Sequence, residues 1–203
     1  MNKMGHTSLG RFAAVTLPAA VVSAGMGYAM LSGMVGAVIS STGGFDMSTS
    51  LTADALKMRT GATEIGSAGN NQGTIYAETQ GSVANGLDVV TPAVEVLPGL
   101  SLNLGITSSD PAIDLGDVAL NAASLNTPEG ATMANVTLGQ SQADAGFDPG
   151  DPGYVADGFA LQAAQTAGQS GEQELNNLSA KAYAVQLSSL SLSNLSIQLN
   201  PTP

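Results

Sequence analysis

One pattern recurs through this chain and constrains its fold more than any other feature: apolar, x, apolar, x, x, apolar, x, apolar, x, apolar. It fits Leu51, Ala53, Leu56, Met58 and Thr60, and then Ile113, Leu115, Val118, Leu120 and Ala122. It returns at Leu178, Ala180, Tyr183, Val185 and Leu187, and again at Leu190, Leu192, Leu195, Ile197 and Leu199, with a partial copy through Met133, Val136 and Leu138. A period of two belongs to strands with one buried face. The extra residue in the middle of each copy means that each strand carries a bulge or turns a corner. Two architectures give such a step: a solenoid whose rungs turn corners, and a curved antiparallel sheet folded as a sandwich or half-barrel. The pattern leaves both open and fixes a mainly β fold from Phe45 onward. Turn chemistry separates the copies, most densely at Asp148-Pro149-Gly150-Asp151-Pro152-Gly153. After that loop, the Ala/Gln-rich stretch Tyr154–Ala167 reads as a short helix.

The strands have little bulk to pack with. Aromatic residues are 4% of the chain and tryptophan is absent, so any core is built from Ala, Val, Leu, Ile and Met. Cysteine is also absent, which removes disulfides and thiolate metal sites. With 5 basic and 16 acidic side chains the formal charge is −11, so the chain repels phosphate backbones and nucleic acid is excluded as a direct partner.

The charge is unevenly placed. Lys3 and Arg11 precede a run from Phe12 to Phe45 with no charged residue, ended by Asp46. About 20 apolar residues suffice to span a bilayer as a helix. The sequence therefore predicts a short cytoplasmic segment over 1–11, a transmembrane helix over 12–40 acting as an uncleaved signal anchor, and an acidic all-β outer domain over 45–203. Basic residues before the run place the amino terminus inside. Beyond it stand 16 acids against Lys57, Arg59 and Lys181. A cleaved signal peptide is the competing reading, with Val22-Ser23-Ala24 as its small-x-small site; the apolar character continuing past Ala24 favours the anchor. Gly25, Ala29, Gly33 and Ala37 repeat every four residues, a small-residue face that would let the helix pack against copies of itself. Met26, Met30 and Met34 form a flexible stripe beside it, and Pro18 marks a kink or break near the start.

Four stretches resemble a known family: Gly10-Arg11-Phe12-Ala13-Ala14-Val15 with Leu17-Pro18, the Phe45–Thr60 strand with Ala53-Asp54-Ala55-Leu56, the segment from Val89-Val90-Thr91-Pro92 to Leu104, and the closing strand Leu190–Leu199. They are similar to uncharacterised actinobacterial membrane-anchored or secreted proteins that carry the automatic label "cholesterol esterase". The resemblance implies a high-GC Gram-positive source, export and an all-β outer domain. It brings no catalytic residues. Members of that family often carry a cysteine just before the Val-Val-Thr-Pro stretch, and this chain has none.

The residues do not favour an esterase. The single histidine, His6, lies across the membrane from the predicted domain, and no Gly-x-Ser-x-Gly elbow is present. A Ser/Lys pair using Lys57 or Lys181 has no supporting spacing. Asp110, Asp114 and Asp117, and Asp144, Asp148, Asp151 and Asp157, are grouped as calcium loops sometimes are, but neither group has EF-hand spacing, and a solvated acidic surface is the simpler account. Asp148 and Asp151 are the first choices were a cation held. The expected function is therefore non-enzymatic, with no cofactor and no metal: a membrane-anchored surface protein contacting lipid and self-associating into a homo-oligomer or extended assembly. Binding of a lipid or other hydrophobic ligand is the alternative. The low-charge Ser/Leu tail is expected to be an edge that pairs with another chain.

Overall fold

The computed structural model describes residues 38–64, 71–151 and 153–202, which hold eleven strands: β1 (Val38–Ala53), β2 (Ala55–Glu64), β3 (Asn71–Val90), β4 (Val94–Leu97), β5 (Leu100–Ser108), β6 (Ile113–Asn126), β7 (Ala131–Thr132), β8 (Val136–Ser141), β9 (Phe159–Ala163), β10 (Gln173–Leu187) and β11 (Leu195–Thr202). No helix lies among the described residues, so none there is long and apolar enough to cross a membrane. The expected helix over 12–40 falls mostly outside them. Its last three residues do not: Val38, Ile39 and Ser40 are strand, facing Gln186, Val185 and Ala184 of β10. Strand structure is thus already present at Val38, ahead of the expected Phe45.

Every strand pairing is antiparallel, which rules out stacked parallel rungs and with them the solenoid. The half-barrel is closer, but the sheet closes. β1 pairs with β10 along one edge and with β3 along the other, completing the circuit β1–β10–β6–β3. Seven of the eleven strands make four long crossings. β1 and β2 run as one broken strand along β3, from Asp46 opposite Val90 to Glu64 opposite Asn71. β5 and β6 likewise run along β3, and β10 and β11 along β6 and β5.

The steps legible in the sequence are the corners of this barrel. β1 turns into β2 at Asp54, whose N–H donates to Gln80 O at 2.8 Å. β3 turns at the same level, with its ladder to β6 interrupted between Thr79 and Ser82. Gly81 there has φ +59, and a Cβ on it would run into the Asp54 carboxylate. β6 turns at Gly116, φ +60. β10 slips between Lys181 and Ala184, where buried Ala182 takes the position that the repeating pattern gave to Tyr183. Strands that bend together at one level can wrap a single apolar core, here Phe45, Leu51, Leu56, Ile113, Leu178 and Val185 among others.

Two further expectations change. Within the stretch read as a helix, Phe159–Ala163 is strand β9, between β2 and β8. Its small residues Ala160 and Ala163 are fully buried there, so packing overrides alanine's helix preference. In the closing pattern only Leu195 onward is strand, and Ile197 and Leu199 are 47% and 67% exposed rather than in the core.

Candidate functional site

The barrel interior is almost purely hydrocarbon. It encloses a void of about 60 Å³, walled by side chains such as Met47, Met58, Leu87, Ile106, Leu120 and Val185. Two hydroxyls reach this lining, and both are engaged: Thr49 Oγ1 donates to Gly86 O at 2.6 Å, and Thr79 Oγ1 shares a 2.6 Å hydrogen bond with Ser82 Oγ. A void lined this way stays dry.

One end of the barrel continues as an overhang. The ladder of β3 with β5 ends at Val90 opposite Gly105, while β5, β11 and short β4 run on together. Residues directly opposite in an antiparallel pair share a face. Ile197 opposes Ile106, Leu199 opposes Leu104, and Leu102 opposes both Pro201 and Val94, so one face of the overhang is apolar. The other presents Ser101, Asn103, Thr107, Ser196, Gln198 and Asn200. The apolar face is uncovered toward its tip: Val94 is 63% exposed and Leu199 67%. At its root, Ile106 packs on the main core and lines the void, so overhang and interior form one continuous apolar surface.

β11 pairs with β5 over eight consecutive residues without a register shift, and among the described residues nothing pairs with its other edge. Neither β5 nor β11 holds a charged residue. Another edge strand, β8, is broken by a bulge between Leu138 and Gln140 at Gly139. Bulges and charges are the usual protection of sheet edges. β8 has one, whereas β11 has only Pro201 near its end.

The outer face of β2 and β3 holds a second cluster, which the sequence did not suggest. The loop between β8 and β9 folds over it, and Ala145, Phe147 and Ala160 form a small separate core with Tyr76 and Tyr154. Arg59, 2% exposed, stacks on Tyr76 at 4.3 Å and lies 5.3 Å from Phe147, with Asp151 at 3.8 Å. Lys57 Nζ donates to Gly146 O at 3.1 Å and faces Glu78 at 3.7 Å. Burial raises the Glu78 carboxyl above its ordinary value against the pull of Lys57. Burial, with the Asp151 and Glu78 carboxylates, pushes Tyr76 up to about 12. Gln142, 1% exposed, ties the loop down by donating to Thr60 O at 2.8 Å and accepting from Val155 N at 2.9 Å. Two of the three described cations thus hold a loop in place.

The residues singled out from sequence disperse. Gly25, Ala29, Gly33 and Ala37 lie outside the described residues, as does His6. Asp151 faces Arg59, and Asp148 accepts from Gly150 N at 2.8 Å, both within the covering loop. Asp110, Asp114 and Asp117 do act together, but on the chain itself. They fasten the segment joining β10 to β11: Asp110 accepts from Ser193 N and Oγ, Ser189 Oγ donates to Asp114 at 3.2 Å, and Asp117 N donates to Ser188 Oγ at 2.6 Å. Among the described residues no three metal-ligating side chains converge. Lys181 pairs with Asp46 at 3.4 Å on the surface.

The fold and these surfaces define a closed antiparallel β barrel with an amphipathic overhang. By sequence the chain belongs to the DUF6230 family, a family of unknown function, whose profile matches residues 87–203, from late β3 to the end of the chain. No curated protein and no solved structure matches it.

Proposed function

We propose that this is a non-enzymatic protein, held at the cell surface by its N-terminal apolar segment, that joins copies of itself through β11. The observation that carries the reading is the character of that edge: eight regular, uncharged residues with an open side. In a chain of net charge −11, copies repel one another least where no charge stands. Charge depletion is also what distinguishes the centre of an interface from ordinary surface. Two-fold pairing of β11 with β11 would extend β5–β11 into a sheet running across both copies. The N-terminal motifs that resemble actinobacterial exported proteins support the same location. The esterase label borne by those relatives is set aside, since the carboxylates and lysines described above serve the fold.

The test is light scattering behind size exclusion on the full chain in mild detergent. Multimers are expected, and Leu199→Lys, a charge placed on an exposed edge position, should return them to monomers. A wild-type chain that stays monomeric at high concentration overturns the proposal.

A further inference from the structure

We infer that the barrel interior and the apolar face of the overhang form one binding site for a single unbranched aliphatic chain with an uncharged head. This inference uses the face of the overhang, not the edge of β11, and stands whether or not copies pair.

Three observations carry it. First, the surface is continuous: Ile106 lines the void, opposes Val89 of β3 on one side and Ile197 of β11 on the other, and so leads from the interior past half-buried Leu104 to exposed Leu199. A folded partner could cover the outer part of that path but could not fill a void behind it; a slender chain does both. Second, the void is small and dry. About 60 Å³ is room for roughly four water-sized groups, enough for the end of a hydrocarbon chain and too little for rigid fused rings. Met47 and Met58, unbranched and with several accessible rotamers, are the wall residues that can give way. Third, nothing along the path recognises charge. The described cations are committed elsewhere, Lys57 and Arg59 under the loop and Lys181 on Asp46, and both hydroxyls in the lining are bonded within the protein. Among the described residues a carboxylate or phosphate head would meet no counter-charge, and the molecule is strongly acidic, so the head stays in solvent and is neutral.

The experiment is a titration of the full chain, held in amphipol, with 1-dodecanol, dodecanoate at pH 8 and cholesterol, followed by the methyl resonances of ¹³C-methyl methionine. Saturable shifts are expected at Met47 and Met58 with dodecanol, with little change at Met133, which packs on the core away from the void. Dodecanoate should require at least about tenfold more ligand, roughly 1.4 kcal/mol weaker binding. Ile106→Trp, which plugs the root of the overhang, should weaken dodecanol by about tenfold or more with the circular dichroism spectrum unchanged. Unmoved Met47 and Met58 resonances overturn the inference, as does dodecanoate or cholesterol binding as tightly as dodecanol. Should the Ile106 variant fail to fold, the methionine shifts of the wild-type chain and the ranking of the three ligands still decide.

Discussion

Replacing Arg59 by alanine tests whether the buried cation holds the β8–β9 loop on the barrel. The Arg59 side chain is fully buried and Asp151 is 18% exposed, with 3.8 Å between them. At an effective dielectric near 20 two charges at this distance attract by about 4 kcal/mol. Removing one member of a buried pair typically costs about 3–5 kcal/mol, because the other charge is left in a poor solvent. Asp151 can recover some hydration, which reduces the loss. Stacking on Tyr76 at 4.3 Å adds about 1–2 kcal/mol for a desolvated contact. A loss of about 3 kcal/mol is therefore expected for Arg59→Ala in urea unfolding followed by far-ultraviolet circular dichroism. Arg59→Met, which keeps most of the volume, should recover part of it. Hydrogen exchange separates local from global loss: the Val155 amide, bonded to Gln142 at 2.9 Å, should exchange early if the loop opens alone. A loss below about 0.5 kcal/mol with Val155 still protected refutes the reasoning.

Other consequences can be checked on the same material. Gly81→Ala places a side chain at φ +59 against the Asp54 carboxylate, and should cost about 1–3 kcal/mol in urea unfolding. Tyr76, held at about 12 when folded against 10.0 in the open chain, keeps its proton longer in the native state. Stability should thus fall as pH rises from 10 toward 12, and absorbance at 295 nm should show one tyrosine ionising late; Tyr76→Phe should flatten this dependence. Glu78, raised from 4.5, likewise favours the proton in the folded state, so stability should decline as pH climbs above 4.5 through its folded value and Glu78→Gln should remove that slope in urea unfolding. Asp110 has the opposite sign: its hydrogen bonds from Ser193 hold the carboxyl below 3.8, so its contribution is present above that value and lost as pH falls through the folded one. Exchange at the Ser193 amide should speed up there.

How much of this was legible depended on which side chains made the pattern. The corners of β1–β2 and β6 show in the sequence because Leu, Ile and Val mark both sides of the step. The corner of β3 does not, although its burial takes the same step from Thr79 to Ser82. Its inward residues there are Thr79, Ser82 and Ala84, which read as polar or neutral and are buried only because two hydroxyls satisfy each other. The Leu190–Leu199 pattern misled for the converse reason. It has the alternation of a core strand, but burial depends on whether other strands reach across it, and beyond Val90 β3 no longer does. Strand β9 is short and alanine-rich, so its neighbours rather than its own residues make it a strand. Nothing in the sequence marks Arg59 as buried; the covering loop, folded back from the β8–β9 connection, encloses it. Barrel closure was invisible, because alternation says which face is inward and not which edges meet.

That closure sets an order of events for the chain as it is made. The seam joins Val38–Ala53 to Gln173–Leu187, segments separated by well over a hundred residues, whereas β2 and β3 are neighbours in sequence and β3 and β6 are parted only by β4 and β5. Pairings across long loops form late and slowly. A chain emerging amino end first, from a ribosome or through a membrane, can build the β2–β3–β6 sheet early but holds the open edge of β1 until nearly all of it has emerged. During that interval the inward faces of Phe45 and Leu51 are without their β10 cover. Truncation before Gln173 should therefore yield an aggregating fragment rather than a smaller barrel, and the last thirty or so residues act as the latch on everything before them.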